Sequence, residues 1–183
     1  MCAAPEGILH SSPGTTVDGV TARDGMHVFG GQLLRTPHGQ FSDLLTRGTS
    51  VRLLSDTKLQ FEGDSAELVE GGVALNTSTR FAVHTGCAEI TPLAPIPSRY
   101  TVQRQQKTVY VTANESDVTV RAKKTVRVGS GKTVAVYCAA AGEDIVFVGA
   151  SNLAADVAMG VGGAAAGAAP FIKPDMSSGT LRH

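Results

Sequence analysis

The chain has no tryptophan, and aromatic residues make up only 5% of its 183 residues. A base-stacking surface or an aromatic sugar platform needs more aromatic side chains than this. Charge of either sign is also not in excess, because 16 Lys and Arg balance 16 Asp and Glu. No overall field therefore attracts nucleic acid or an anionic membrane. We expect no nucleic-acid partner.

Cysteine is scarce as well, with only Cys2, Cys87 and Cys138 in the chain. Their spacing fits no zinc pattern, since zinc ligands come in pairs close in sequence. Cys87 and Cys138 both follow strand-like runs. They are either the two halves of a disulfide in an oxidising compartment or two buried free thiols, and in both cases Cys2 is the odd one out.

The first residues show no secretory signal, because "MCAAPEGILHSSPG" lacks a basic segment and a long apolar segment. If a signal has been removed, Cys2 would be the first residue after it, as in a lipoprotein, and would provide a route to the membrane. Residues 1–16 are rich in Ser, Pro, Gly and Thr. This composition predicts a flexible lead-in.

From Val17 onwards, strand-length apolar runs follow one another at intervals of eight to ten residues. Examples are "TSVRLL", "TKLQF", "SAELV" and "GVALN", with "TRG", "EGDS" and "EGG" among the breaks between the runs. The breaks contain the residues that tight turns require. One strand–turn unit cannot bury its own apolar face, so the repetition predicts a core made by stacking successive units.

The second half of the chain alternates more regularly. In "TVYVTA" and "TVAVYC" every second residue is small or apolar, which is typical of half-buried antiparallel strands. Between the two halves lies "PLAPIPS", residues 92–98, whose three prolines exclude a central strand and predict a crossover loop. The predicted fold is all-β: stacked short antiparallel strands in a two-sheet sandwich or flattened β-solenoid, spanning residues 17–149.

Residues 150–183 differ again, because the segment is rich in Ala and Gly. We expect a short helix followed by a small-residue tail. Gly163 and Gly167 have the spacing of a helix-pairing motif, so an association or membrane role for the tail stays open. Asp156 in this segment makes a membrane span costly.

Three groups of residues have a formal likeness to chemical sites. "GSGKT", Gly129 to Thr133, resembles the end of a phosphate-binding loop, but a strand pattern follows where a helix is needed, so we expect a hairpin turn with positive φ at Gly129 and Gly131. His84 and Cys87 form an H-x-x-C pair without further metal ligands or a fixed base, and in a strand these two residues would point to opposite faces unless Gly86 makes a bulge. The acidic residues of 62–70 lack the spacing of a calcium loop. We therefore expect no catalytic residues, no metal site and no cofactor.

Residues 17–137 resemble the FecR domain, the periplasmic module of ferric-citrate-type regulators. The similarity lies in "DGMHVFGGQLLRTPHGQFSDLLTRGTSVRLLSDTKLQF", "AELVEGGVALNT", "FAVHTGCAEITPL" and "YTVQRQQKTVYVTANESDVTVRAKKTVRVGSGKTVAVY". The family's usual "G-T-x-F" is replaced here by "IPSRY". The cytoplasmic anti-sigma segment and membrane helix that precede the domain in the family's regulators are not found in this sequence.

The resemblance implies a periplasmic or cell-envelope location and a role without catalysis. The leading expectation is an exported binding or scaffold module that contacts a protein partner, either by strand addition or through a face of a sheet. The alternative is a signalling component of a ferric-citrate-regulator-type, anti-sigma system with a separate membrane partner. A third hypothesis is a small metal-dependent β-fold enzyme. Self-association stays open.

Overall fold

A computed structural model describes residues 6–138 and 147–148. The described part of the chain forms seventeen strands and no helix, so it contains no helix that could cross a bilayer. The strands are β1 (Glu6–His10), β2 (Thr16–Val17), β3 (Val20–Thr21), β4 (Met26–Phe29), β5 (Leu33–Thr36), β6 (Ser42–Thr46), β7 (Thr49–Leu53), β8 (Thr57–Phe61), β9 (Ser65–Thr77), β10 (Ala82–His84), β11 (Glu89–Pro92), β12 (Ser98–Gln105), β13 (Thr108–Glu115), β14 (Val118–Arg121), β15 (Thr125–Val128), β16 (Lys132–Tyr137) and β17 (Phe147–Val148).

The strands form one mixed hydrogen-bonded network with two arms. The arm that we call the front layer has the order β4-β1-β6-β7-β9-β12-β13-β16-β17. The back layer has the order β3-β2-β5-β8-β9-β10-β11-β14-β15. All pairs are antiparallel except β9 with β10. The chain alternates between layers, as the predicted stacking of strand–turn units requires.

Strand β9 belongs to both layers, and its bend at Gly71 joins them. Residues before the bend pair with β8 and β10 in the back layer, and residues after it pair with β7 and β12 in the front layer. Gly71 has a φ of 81°, which favours glycine. The hydroxyl of Thr57 accepts a bond from the Gly72 N–H at 3.0 Å and donates to the Gly72 carbonyl at 2.8 Å.

The core lies between the two layers and is formed by the inward residues of each alternating strand. Leu59, Phe61 and Leu68 of the back layer and Tyr100 and Val102 of the front layer are all fully buried. The Tyr100 hydroxyl donates to the Phe81 carbonyl at 2.9 Å, and burial raises the pKa of Tyr100 well above its ordinary value. The all-β, two-layer prediction is confirmed.

The structure corrects the predicted start of the folded part and confirms the predicted crossover loop. The flexible lead-in predicted over residues 1–16 is wrong for residues 6–16, because β1 pairs with β4 and β6 and Leu9 is fully buried. Sequence composition hid this strand, since only Ile8 and Leu9 are large and apolar in it. The predicted crossover is confirmed: β11 ends in the back layer at Pro92, and β12 begins in the front layer at Ser98.

The structure describes β17 as the last strand, paired with β16 at Ala135 and Val136. The expected helix and tail of residues 150–183, with Gly163 and Gly167, lie outside the described residues. Their role stays a prediction.

Replacing Gly71 with alanine tests the joint between the layers. An added Cβ would lie 2.5 Å from the Asp56 carbonyl oxygen and 2.6 Å from the Thr57 Cα, on backbone that cannot move aside cheaply. We expect the variant to lose about 3 kcal/mol or more of unfolding free energy, because overpacking adds to the left-handed strain. Urea denaturation followed by circular dichroism measures the loss.

Gly131 provides the matched control, since its φ is 73° but nothing lies within 4 Å of an added Cβ. Gly131→Ala should cost only the strain of about 1 kcal/mol. Equal losses in the two variants would contradict the packing argument at Gly71.

Leu9 tests the assignment of the N-terminal strand to the core. Leu9→Ala should lower the unfolding free energy by about 2–5 kcal/mol, the range for a buried leucine. Ile8→Ala, which removes a neighbouring side chain that is 41% exposed, should cost clearly less. Thermal melts of both variants measure the change in stability. An unchanged melting temperature for Leu9→Ala would contradict the placement of residues 6–10 in the core.

Candidate functional site at the disulfide end of the sandwich

The structure joins Cys87 and Cys138 by a disulfide with a Cα–Cα distance of 5.7 Å. Cys87 lies in the turn between β10 and β11 of the back layer, and Cys138 follows β16 of the front layer. The bond therefore links the two layers at one end of the sandwich, which we call the disulfide end. The backbone N–H of Cys138 also donates to the carbonyl of Lys107 at 2.6 Å, so the turn between β12 and β13 lies there too.

A shallow cleft of about 440 Å³ opens beside the disulfide. Some of the residues that line it are small, and others carry charged side chains. The lining residues are Glu67, His84, Gly86, Cys87, Ala88, Glu89, Arg121 and Ala122.

Strand register explains why the charged residues meet at the cleft. His84 lies opposite Glu67 in the parallel pair β9–β10 and opposite Glu89 in the antiparallel pair β10–β11. Glu89 in turn lies opposite Arg121, with 3.6 Å between the guanidinium and the carboxylate. These four side chains form one row across the outer surface of the back layer, where directly opposite residues interact.

His84 and Cys87 both line this cleft, contrary to the expectation that they face opposite sides of a strand. Gly86, with a φ of 76°, turns the chain between them. The pair still offers no nucleophile, because the Cys87 sulfur is bonded to Cys138 and a thiolate is the reactive form. Within the described residues, no group of three His, Cys, Asp or Glu side chains is placed to hold a metal ion.

The "GSGKT" stretch is a turn between layers, from β15 in the back layer to β16 in the front layer. It is not the hairpin that its glycines suggested, and only Gly131 has a positive φ. The Ser130 N–H, which a phosphate would need, already donates to the Asp117 carboxylate at 2.9 Å. This turn lies at the end of the sandwich opposite the disulfide.

The Asp117 carboxylate also holds the Arg127 side chain, whose Nε is 2.6 Å away. The Arg127 hydrogen bond and then the Ser130 N–H hold the pKa of Asp117 below its ordinary value. The acidic residues of 62–70 do not converge either: Glu62 and Asp64 lie on the turn between β8 and β9, whereas Glu67 lies in the cleft.

An exposed apolar patch lies elsewhere, on the outer surface of the front layer at its N-terminal edge. Ile8 and Leu45 lie opposite each other on β1 and β6, and Phe29 of the edge strand β4 lies near them. They are 41%, 40% and 47% exposed. The Phe29 N–H is capped by the side-chain oxygen of Gln32 at 2.9 Å, which reduces the free hydrogen-bonding groups on this edge.

Comparison with known protein families finds no match, and no curated protein matches the chain. Among solved structures, it is similar to two crystal structures, at 1.65 Å and 2.50 Å resolution, of a "putative anti-sigma factor" from Parabacteroides distasonis. The TM-score is 0.53 and the identity 20% for each, with 68% of this chain covered.

This likeness concerns the fold. The matched part is 62% of the length of the Parabacteroides protein, so this chain spans less than two thirds of that structure. The comparison therefore shows a shared all-β fold with a protein described as a "putative anti-sigma factor".

Removing the disulfide should destabilise the sandwich. A bond across a sequence separation of 51 residues contributes about 4 kcal/mol in the chain-entropy description. A Cys87→Ser/Cys138→Ser variant should therefore show a lower urea midpoint than a Cys2→Ser control, which keeps the pair. A mass map of the unreduced Cys2→Ser protein with two free alkylated cysteines would contradict the bond.

Asp117 predicts a specific pH dependence. A carboxylate whose pKa is lowered on folding stabilises the protein above the unfolded pKa of about 3.9, and this contribution is lost as pH falls through the folded pKa. The gap in unfolding free energy between the wild type and Asp117→Asn should thus be widest at neutral pH and shrink in acid. Urea titrations at pH 7, 4 and 2 measure it, and a gap independent of pH would refute the assignment.

Proposed function

We propose that this chain is a non-enzymatic, protein-binding module of the bacterial cell envelope that takes part in signalling of the anti-sigma type. The observation that carries the proposal is the shared fold with the Parabacteroides anti-sigma structures. The sequence resemblance to the FecR domain, which rests on the residues and not on this comparison, points in the same direction.

The surface of the described residues supports binding more than catalysis. The one cleft beside the disulfide is shallow, and its histidine has no reactive thiol beside it. Several buried hydroxyl groups hydrogen-bond to one another within the fold: Thr49 bonds Thr77 at 2.6 Å, and Thr15 bonds Ser42 at 2.8 Å. Enzymes instead gather titratable groups in a deep pocket.

An oxidising compartment is part of the proposal. Disulfides persist in the periplasm and on cell surfaces and are rare in a reducing cytoplasm. The placement of Cys87 and Cys138 at bonding distance supports export of the domain. In its more specific form, the proposal places the chain in a ferric-citrate-regulator-type system, in which a separate membrane partner completes the signalling path.

A scaffold without a signalling role is the second candidate, favoured by the exposed apolar patch of Ile8, Phe29 and Leu45. Apolar patches on an otherwise polar surface are typical of contact sites between proteins. The scaffold hypothesis needs no effect on transcription, which separates it from the signalling hypothesis.

Deleting the gene in its source organism and sequencing the transcripts tests the proposal. We expect changes confined to promoters of one alternative sigma factor, restored by the full chain in trans. Chemical labelling of periplasmic proteins should also find the chain outside the cytoplasm. An unchanged transcript profile in conditions that express the gene would contradict the signalling role and favour the scaffold hypothesis.

A further inference from the structure

We propose that the disulfide end is a docking site for an acidic segment of the protein partner. This inference rests on the proposed function and specifies that the binding segment of the partner is negatively charged. It is carried by the uneven distribution of charge over the sandwich, by the availability of the basic side chains and by the rigidity of the turns that hold them.

The charge of the chain is balanced overall but not locally. Residues 98–138 contain eight Lys and Arg but only two Asp and Glu. Those two acids, Glu115 and Asp117, lie at the end opposite the disulfide and are paired there with Arg99 and Arg127. Within residues 98–138, no Asp or Glu therefore lies at the disulfide end.

Four basic residues lie at the disulfide end, on or beside the β12–β13 and β14–β15 turns. Among the described residues that line the cleft, the carboxylates are Glu67 and Glu89, so these four positive charges less two negative charges leave a local net charge of +2. The four basic residues are Arg104, Lys107, Arg121 and Lys124.

Several of these groups are available to a ligand. Lys107 and Lys124 are exposed, and within the described residues neither side chain has a partner. Arg121 meets Glu89 at 3.6 Å, which is long for a hydrogen-bonded ion pair. Arg104 uses one nitrogen to contact the Leu68 carbonyl at 3.4 Å, so its guanidinium keeps donors free.

The basic groups stand on a rigid platform. The disulfide fixes the β10–β11 turn to the end of β16, and the Cys138 N–H fixes the β12–β13 turn through Lys107. Gly86 leaves the surface between these turns open, because a Cβ there would meet only the Arg104 guanidinium, at 3.8 Å. Because the backbone that carries the basic side chains is already ordered, binding does not have to pay the entropy of ordering these turns.

An acidic protein segment suits this surface better than nucleic acid or a membrane. Proteins that bind single-stranded nucleic acid use aromatic stacking, and of the described aromatic residues only Tyr137 lies exposed near Cys138. A membrane surface would need apolar side chains beside the lysines. The apolar patch of Ile8, Phe29 and Leu45 lies at the other edge of the front layer instead.

The test measures binding of a fluorescent ten-residue polyglutamate peptide to the full, oxidised chain, with a polyglutamine peptide as the neutral probe. We expect binding of polyglutamate only, weakened by salt. Lys107→Glu/Lys124→Glu should weaken the affinity about tenfold or more, since two attractions of up to about 1 kcal/mol become repulsions.

Lys132→Glu is the control, because Lys132 is also an exposed lysine but lies at the opposite end, at the start of β16. It should change the affinity less than about twofold. Glu143 and Asp144 lie outside the described residues but follow Cys138 closely in sequence, so a Glu143→Gln/Asp144→Asn variant is included and should bind at least as well as the wild type. Circular dichroism confirms that each variant is folded.

Three outcomes would overturn the inference: no binding of polyglutamate, equal losses in the Lys107→Glu/Lys124→Glu and Lys132→Glu proteins, or tighter binding of single-stranded DNA or anionic vesicles than of polyglutamate. Each is separable from a failure of the proposed function. A chain that controls transcription but ignores acidic peptides keeps its signalling role and loses only this docking site.

Discussion

The fold depends on one strand that serves two layers. Strand β9 is thirteen residues long, and the bend at Gly71 divides it between the back and the front layer. Its two halves provide the pairing for four other strands, so the register of β9 fixes which residues of both layers point into the core. Leu68 before the bend and Val73 after it are both fully buried as a result. A shift of one residue in the register of either half of β9 would turn the inward side chains of that half towards solvent.

The disulfide is a second connection between the two layers. It lies at the same end of the sandwich as Gly71, which is opposite Arg104 in the pair of β9 and β12. Gly71 joins the layers through the main chain, whereas the bond between Cys87 and Cys138 joins them through side chains. Between these two joints lie the cleft and the basic turns. The backbone under the proposed binding surface is thus supported on both sides by links between the layers.

The sequence was sufficient for much of the fold and for little of the site. Period-two alternation identified strands such as Thr108–Glu115, because antiparallel strands with one buried face must alternate. The strand Glu6–His10 was missed, since Gly7 occupies an inward position where a large apolar residue would have marked the pattern. A Cβ at Gly7 would lie 2.8 Å from the Leu44 side chain, so close packing required the residue that concealed the strand.

The cleft could not be predicted because its residues come together only through register. Glu67, His84 and Arg121 are distant in sequence, and none belongs to a motif. The net charge of zero led to the expectation of no nucleic-acid partner, yet a balanced total can hide a local excess of basic residues. Counting charge over residues 98–138 alone would have signalled it.

Native-state hydrogen exchange of β9 tests the central claim that this strand holds the two layers together. If the layers unfold as one unit, the hydrogen-bonded amides of residues 65–70 and 73–77 should exchange with the same free energy, equal to that of global unfolding. They should also respond equally to added denaturant. Exchange of one half at a clearly lower free energy than the other would show that the layers open independently, and it would contradict the account.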